Sequence, residues 1–115
     1  MQYLLLIYGT ETYWENPGPE QGKMAGEYME FTKGITASGH YKGGNRLDFT
    51  SKATTVRVRE GKTLTTDGPF AETREQLAGY YLVEAKDLDT ALAIAARIPG
   101  ARFGSIEVRP VWVYN

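Results

Sequence analysis

Apolar and polar positions along the chain predict strands that alternate with helices. Residues 2–8 form a short apolar run that ends at Gly9, which is typical of a buried strand. A loop through Pro17 follows, and then a helix over residues 20–38 that Gly39 ends in a left-handed conformation. The helix is predicted because large apolar residues recur on one face of a 3.6-residue period: Met24, Tyr28, Phe31 and Ile35.

The middle of the chain predicts further strands, two of which form a hairpin. Residues 41–49 are the weakest strand candidate, since glycines interrupt them. Residues 54–60 alternate in character, and residues 63–66 return after a turn at Gly61–Lys62. Residues 77–85 are rich in tyrosine, leucine and valine, which favours another strand.

The last third of the chain predicts a second helix and a final strand. Asp87 is a suitable N-terminal cap, and Pro99 with Gly100 ends the helix. Residues 105–113 alternate apolar and charged side chains, as half-buried strands do. The stripe expected to be buried on this helix consists of Leu88, Ala91, Leu92 and Ala95.

This order of elements predicts an α+β fold. A β-α-β unit, a hairpin and a second β-α-β unit give a ferredoxin-like split βαβ sandwich, with an antiparallel sheet and an inserted hairpin. A chain of 115 residues is expected to form a single domain, residues 1–115. The first strand is apolar on both sides, which are formed by Tyr3, Leu5 and Ile7 and by Leu4, Leu6 and Tyr8. Two helices cover one face of such a sheet, so we expect a homodimer that closes over the other face.

Composition removes several classes of function. A net charge of −1 and a pI near 5.8 give no long-range field for nucleic acid or an anionic membrane. The absence of cysteine excludes a disulfide framework, a thiol nucleophile and cysteine-based metal sites. The apolar start lacks the basic residues of a signal peptide and is shorter than the ~20 residues that cross a bilayer. We therefore expect a soluble cytoplasmic protein with no nucleic-acid or membrane partner.

Candidate chemistry is concentrated around Gly68–Pro69, whose backbone is stiff while charged side chains surround it. A segment of this kind is a plausible site loop. Asp67 is either a general acid or base with a pKa raised by partial burial, or an acceptor of backbone N–H groups that fixes the turn. Glu72 and the charged residues after it either bind a polar substrate or form a solvated face.

Two arginines and one aromatic residue complete the candidate binding set. Arg46 and Arg57 either hold an anionic group of a ligand or form an ion pair with Asp67 or Glu72 across strands. Phe70 supplies an aromatic surface beside them.

The remaining polar and aromatic candidates are weaker. His40, the one histidine, is a base, a haem ligand or, as we favour, a surface residue. Tyr8, Tyr28 and Tyr81 are expected to be core or interface aromatics rather than proton donors. The sequence contains no metal triad, nucleotide-binding loop or nucleophile elbow, and the carboxylates near Gly68 do not by themselves establish Mg²⁺ binding. No metal or cofactor is predicted.

Residues 67–75, Asp-Gly-Pro-Phe-Ala-Glu-Thr-Arg-Glu, resemble the signature of the DGPF subgroup of YCII-related domain proteins. The flanking residues 54–57, 79–83 and 107–111 agree, so the resemblance covers nearly the whole chain. It implies a ferredoxin-like fold that dimerises as an α+β barrel. Some YCII relatives are enzymes with a histidine in the first helix region that pairs with an aspartate. The first predicted helix here contains no histidine, and the pair is not transferred to His40.

Two functions remain open. The first is a small enzyme that acts on a small polar or aromatic molecule, with Asp67 as acid or base and Arg46 or Arg57 holding an anionic group. The second is a non-catalytic regulatory or ligand-sensing dimer, which the resemblance suggests because genes of this subgroup often neighbour alternative sigma factors. Direct nucleic-acid binding is disfavoured by the balanced charge.

Overall fold

The structure is a computed structural model that describes residues 1–15 and 18–114, so the predicted loop position Pro17 lies outside the described residues. The strands are β1 (Gln2–Gly9), β2 (Tyr41–Arg46), β3 (Thr54–Arg59), β4 (Lys62–Asp67), β5 (Gln76–Glu84) and β6 (Ser105–Pro110). The helices are α1 (Thr12–Glu15), α2 (Pro19–Ala37) and α3 (Leu88–Ala96), with 3₁₀ turns at Thr50–Lys52 and Pro99–Arg102. Among these described helices, the length and apolar character needed to cross a membrane are not found.

Four strands form an antiparallel sheet in the order β2-β5-β1-β6. Helix α2 connects β1 to β2, and α3 connects β5 to β6, so each helix crosses over one intervening strand. Strands β3 and β4, which come between β2 and β5 in the order of the sequence, form a separate two-stranded sheet. This topology confirms the predicted ferredoxin-like split βαβ fold with an inserted hairpin.

The core lies between one face of the sheet and helices α2 and α3. On β1, the alternation predicted from sequence places Tyr3, Leu5 and Ile7 in this core, while the intervening residues are only half-buried. Because both helices pack on the same face, neither of them covers the opposite face. The half-buried apolar residues on that face are Leu4, Leu6, Tyr80 and Leu82.

Helix α2 agrees with the prediction in position and in its buried residues, Met24, Phe31 and Ile35. It ends as expected at Gly39, which has φ +81°. The His40 N–H donates to the Ile35 carbonyl at 2.9 Å, which satisfies a terminal acceptor of the helix. The local sequence was sufficient to predict this helix because the apolar period and the terminal glycine indicate the same bounds.

The predicted buried face of α3 is wrong at two positions. Leu88 and Leu92 are 48% and 45% exposed, whereas Ile94 and Ile98 are buried. The buried residues of α3 are Ala91, Ile94 and Ala95, which lie on a face rotated from the predicted one, and Ile98 is buried just beyond the end of the helix. The sequence contains both stripes, and packing against the sheet selects the one that holds Ile94.

Several boundaries also differ from the predictions. Strand β2 ends at Arg46 instead of continuing to residue 49, and β6 ends at Pro110 instead of residue 113. The hairpin turn is Glu60–Gly61, not Gly61–Lys62, because both residues have positive φ, 52° and 76°. Helix α1 lies in a region predicted to be a loop.

The β3–β4 hairpin projects from the rest of the molecule. The Cα radius of gyration is 16.1 Å, compared with roughly 13 Å for a compact chain of this length, and the molecule measures 48 × 47 × 19 Å. Nearly every residue of β3 and β4 is exposed to solvent. We call residues 54–67 the arm.

Candidate ligand-binding cavity

A cavity of about 750 Å³ lies between α2 and the end of the sheet at which β1 finishes and β5 begins. Helix α1, the chain after β2 and the segment around Gly100 complete its walls. Its volume falls within the range of sites for small molecules, about 300–1,000 Å³. The fold therefore provides a concave site at one end of its core.

Aromatic side chains dominate the walls of this cavity. The rings of Tyr13 and Phe103 are stacked with centroids 5.5 Å apart, and Trp14 packs edge-on against Tyr13 at 5.2 Å. The remaining aromatic side chains on the core side of the cavity are Tyr28, Tyr41, Phe49 and Tyr81, while Tyr8 and Tyr80 also border it although strand alternation places their rings on the opposite face of the sheet. Such walls favour flat apolar groups, and their hydroxyls add a few polar contacts.

Two of the lining tyrosine hydroxyls have defined hydrogen-bond partners. The Tyr28 hydroxyl accepts from the Gly100 N–H at 3.1 Å, and the Tyr81 hydroxyl shares a hydrogen bond of 2.7 Å with the Thr32 hydroxyl. These contacts fix the ring orientations, so the cavity shape is set before any ligand binds.

Burial changes the acidity of these two tyrosines. It raises the pKa of Tyr28 above its ordinary value of 10.0, and the Gly100 hydrogen bond opposes the shift. Burial likewise raises the pKa of Tyr81, and the Thr32 hydrogen bond acts against it. Both phenols are neutral near pH 7, where they act as hydrogen-bonding groups rather than as charges.

Arg46 supplies a positive charge at the cavity. Its guanidinium carbon lies 5.0 Å from the centre of the Trp14 ring, a cation–π contact. Within residues 1–15 and 18–114, no carboxylate lies close enough to form an ion pair with Arg46. The guanidinium is therefore available to an anionic ligand.

The two carboxylates that line the cavity accept backbone hydrogen bonds. The Glu11 oxygens accept from the Thr50 N–H at 3.0 and 3.2 Å, which holds the chain after β2 against the end of β1. The Asp48 carboxylate accepts from the Phe49 N–H at 2.7 Å. These carboxylates shape the site without neutralising Arg46.

The residues predicted as a site do not all come together. Of the five, Arg46 lines the cavity, whereas Asp67, Arg57, Phe70 and Glu72 belong to the arm and the loop that follows it. Arg57 lies over the Phe70 ring at 5.5 Å. Across the described residues, neither Arg46 nor Arg57 forms an ion pair with Asp67 or Glu72.

Asp67 is the last residue of β4, is exposed and lies opposite Thr54. The backbone of Gly68, with φ +101°, closes this end of the hairpin. Its N–H donates to the Ala53 carbonyl at 2.7 Å, and its carbonyl accepts from the Thr55 hydroxyl at 2.9 Å. The acid–base role of Asp67 remains a prediction.

His40 lies outside the cavity, where its Nδ1 is 2.6 Å from the Ser38 hydroxyl oxygen. In the part of the chain that the structure describes, no three His, Cys, Asp or Glu side chains cluster as metal ligands would. The cavity aromatics were not predicted as site residues. Their abundance was visible in the composition, with eight tyrosines, but their convergence was not.

The fold and the cavity together define a small α+β protein of ferredoxin-like topology with one aromatic-walled site. The family model of the YCII-related domain matches residues 1–115, and the chain belongs to this family. The family predicted from residues 67–75 is thereby confirmed. An uncharacterized protein of Rhizobium meliloti (strain 1021) is 47% identical over 72 residues, which cover 61% of this chain and 58% of that protein.

Proposed function

We propose that this protein binds a small aromatic anion, such as an aromatic carboxylate, in the cavity between α2 and the sheet. The observation that carries the proposal is Arg46, which has no carboxylate partner among the residues that the structure describes and lies against Trp14 in a mainly aromatic site. An aromatic ring would stack between the cavity walls while its carboxylate receives hydrogen bonds from the guanidinium.

The electrostatics of the cavity support an anion over a cation. Glu11 and Asp48 are already hydrogen-bonded to backbone N–H groups, and the buried hydroxyls of Tyr28 and Tyr81, whose pKa values are raised, are neutral near pH 7. Arg46 is exposed, so water screens its contact with a ligand carboxylate, and the charge-assisted hydrogen bonds are worth about 1.5 kcal/mol in total, the lower end of the usual range. That energy corresponds to roughly tenfold in affinity.

The proposal is tested with benzoate and its neutral analogue benzamide, by chemical-shift titration or isothermal calorimetry. We expect benzoate to bind more tightly than benzamide, and Arg46→Gln to weaken benzoate binding about tenfold while leaving benzamide unchanged. The matched control is Arg59→Gln, because Arg59 is an exposed arginine of the arm. Equal affinity for the two compounds, or benzoate binding that survives Arg46→Gln, contradicts the proposal.

Binding of this kind is compatible with an enzyme or with a ligand sensor. Replacing Asp67 distinguishes these two functions. Asp67 does not line the cavity of its own chain, so acid–base chemistry on a bound ligand requires the arm of another copy or a change of conformation. Turnover of a bound ligand that Asp67→Asn abolishes, with the fold and the ligand affinity retained, supports the enzyme. Tight binding without turnover supports the sensor.

We also propose that two copies pack through the open faces of their sheets. Support comes from Leu4, Leu6, Tyr80 and Leu82, which form a half-buried apolar area on neighbouring strands, on the side of the sheet away from α2 and α3. Burial of several hundred Å² at about 25 cal/mol per Å² favours association. Sedimentation of the wild type as a dimer, and of Leu6→Asp as a folded monomer, would support this packing. A monomer at all micromolar concentrations argues against it.

A further inference from the structure

The arm has one apolar face that the described part of its own chain leaves exposed. Val56 and Val58 point to the same side of the hairpin, where the cross-strand partners are Thr65 and Thr63. The other side carries the basic residues Arg57, Arg59 and Lys62. Such alternation is typical of a half-buried strand, yet Val56 and Val58 are 60% and 59% exposed. An isolated two-stranded hairpin is marginally stable at best in water, so a covering surface is expected.

A second uncovered apolar feature follows β6. Residues 111–114, which we call the terminal segment, read Val-Trp-Val-Tyr and continue from the sheet, with the Val111 N–H donating to the Gln2 carbonyl at 3.0 Å. Trp112 and Tyr114 are 78% and 89% exposed. Four consecutive apolar residues with high strand propensity are seldom this exposed on a surface that has no partner.

The arm and the terminal segment leave the sheet at opposite corners. The arm begins beyond the edge strand β2, beside the end of β1, where Glu11 binds the backbone of Thr50. The terminal segment begins beyond the other edge strand, β6, beside the start of β1. Three strand spacings and the length of β1 separate these corners by roughly 25 Å, so one chain does not bring the two features together.

We propose that the arm of one copy packs its Val56–Val58 face against Trp112 and Tyr114 of a second copy. A two-fold axis that lies between the open faces of two sheets, perpendicular to the line joining these corners, exchanges the two corners, and with that axis each arm meets the terminal segment of the other chain. Aromatic and β-branched side chains are favourable partners on strand surfaces. The chemistry of the two exposed features therefore matches, and each copy supplies both halves of the contact.

The area available fits a dimer. The exposed parts of Trp112 and Tyr114 amount to roughly 350 Å² at the usual size of these side chains, and the arm face adds roughly 200 Å². A standard interface buries about 800 Å² on each partner. The arm contact supplies more than half of this area, and the open sheet face would supply the rest.

Cysteine pairing tests the contact directly, because the chain contains no native cysteine. Single variants Val56→Cys and Val58→Cys carry one affinity tag, and Trp112→Cys and Tyr114→Cys carry another. Arm and terminal variants are mixed in all four combinations at micromolar concentration and oxidised, and the covalent heterodimer is quantified on non-reducing gels. The matched control replaces the arm variant by Met29→Cys on α2, since Met29 is 73% exposed and lies outside both features.

We expect at least one arm–terminal combination to form the heterodimer ten times faster than the Met29 control. We also expect Val58→Asp, but not Met29→Asp, to raise the dimer dissociation constant at least tenfold, with circular dichroism showing that both variants fold. Crosslinking no faster than the control overturns the proposal. If sedimentation then still shows a dimer, the sheet packing stands alone; if it shows only monomer, both assemblies are wrong. Neither result bears on benzoate binding in the cavity.

Discussion

Replacing Tyr28 by phenylalanine isolates one hydroxyl that shapes the cavity. The hydroxyl accepts the Gly100 N–H at 3.1 Å, and the variant retains the ring while leaving this donor without its partner. A hydrogen bond of this kind contributes about 1 kcal/mol net, and a fully buried unpaired donor costs about 1–3 kcal/mol. Because Gly100 is only partly buried, we expect the variant to lose about 1 kcal/mol in the free energy of unfolding near pH 7.

The pH dependence gives this prediction a second, independent part. The pKa of Tyr28 in the folded protein lies above 10.0, so the folded state retains a proton that the unfolded chain releases. Its contribution to stability is therefore complete below about pH 10 and is lost as the pH rises through the folded pKa. The phenylalanine variant has no such loss at this position. The difference in stability between wild type and variant should accordingly become smaller above about pH 10.

Urea denaturation followed by circular dichroism, at about pH 7 and about pH 11, measures both parts. The control is Tyr114→Phe, which removes a hydroxyl from a highly exposed tyrosine and should change stability by less than about 0.5 kcal/mol. A Tyr28→Phe variant as stable as the wild type at neutral pH would refute the assigned hydrogen bond. A difference that grows at alkaline pH would refute the assigned direction of the pKa shift.

Three further predictions concern glycines and a helix cap. Gly104→Ala should lower the melting temperature strongly or prevent folding, because its Cβ would clash with the backbone carbonyl oxygen of Tyr8, which side-chain motion does not relieve. Gly26→Ala should instead stabilise the protein by about 1 kcal/mol in thermal or urea unfolding, since it lies in α2 with open space around it. Asp87→Ala should lower the melting temperature, because the Asp87 carboxylate caps α3 by accepting from the Thr90 N–H at 2.8 Å. The Thr90 hydrogen bonds lower the pKa of Asp87, so its contribution is present above about pH 4 and is lost as the pH falls through the lowered value. A stable Gly104→Ala, a destabilised Gly26→Ala, or an Asp87→Ala variant as stable as wild type at neutral pH would contradict these interpretations.

Where local patterns indicate a single structure, the sequence predicted it. Helix α2 was located to within a residue at each end because its apolar period and Gly39 agree. On α3, two apolar stripes compete and the predicted one was wrong in part, since Leu88 and Leu92 are exposed. Periodicity defines the faces of an element, but it does not state which face the rest of the protein covers.

The candidate site shows even more clearly the difference between what local sequence predicts and what packing decides. Sequence reasoning selected Arg46 and Arg57 together with three residues around Gly68, because the density of charged residues along the chain was the available signal. The structure places Arg46 beside Trp14, 32 positions away, and leaves Asp67 on the arm. Cavity walls are assembled from residues distant in sequence, and their meeting depends on strand register and helix packing.

The sequence by itself determined the family, the order of strands and helices, and the two-sided apolar character of β1. Each of these follows from neighbouring residues, whose spacing fixes which side chains share a face. Tertiary structure alone decided that seven aromatic side chains and Arg46 surround one cavity and that the arm stands away from it. The physical reason is that these arrangements depend on contacts between elements, where packing chooses among faces that the local pattern leaves equivalent.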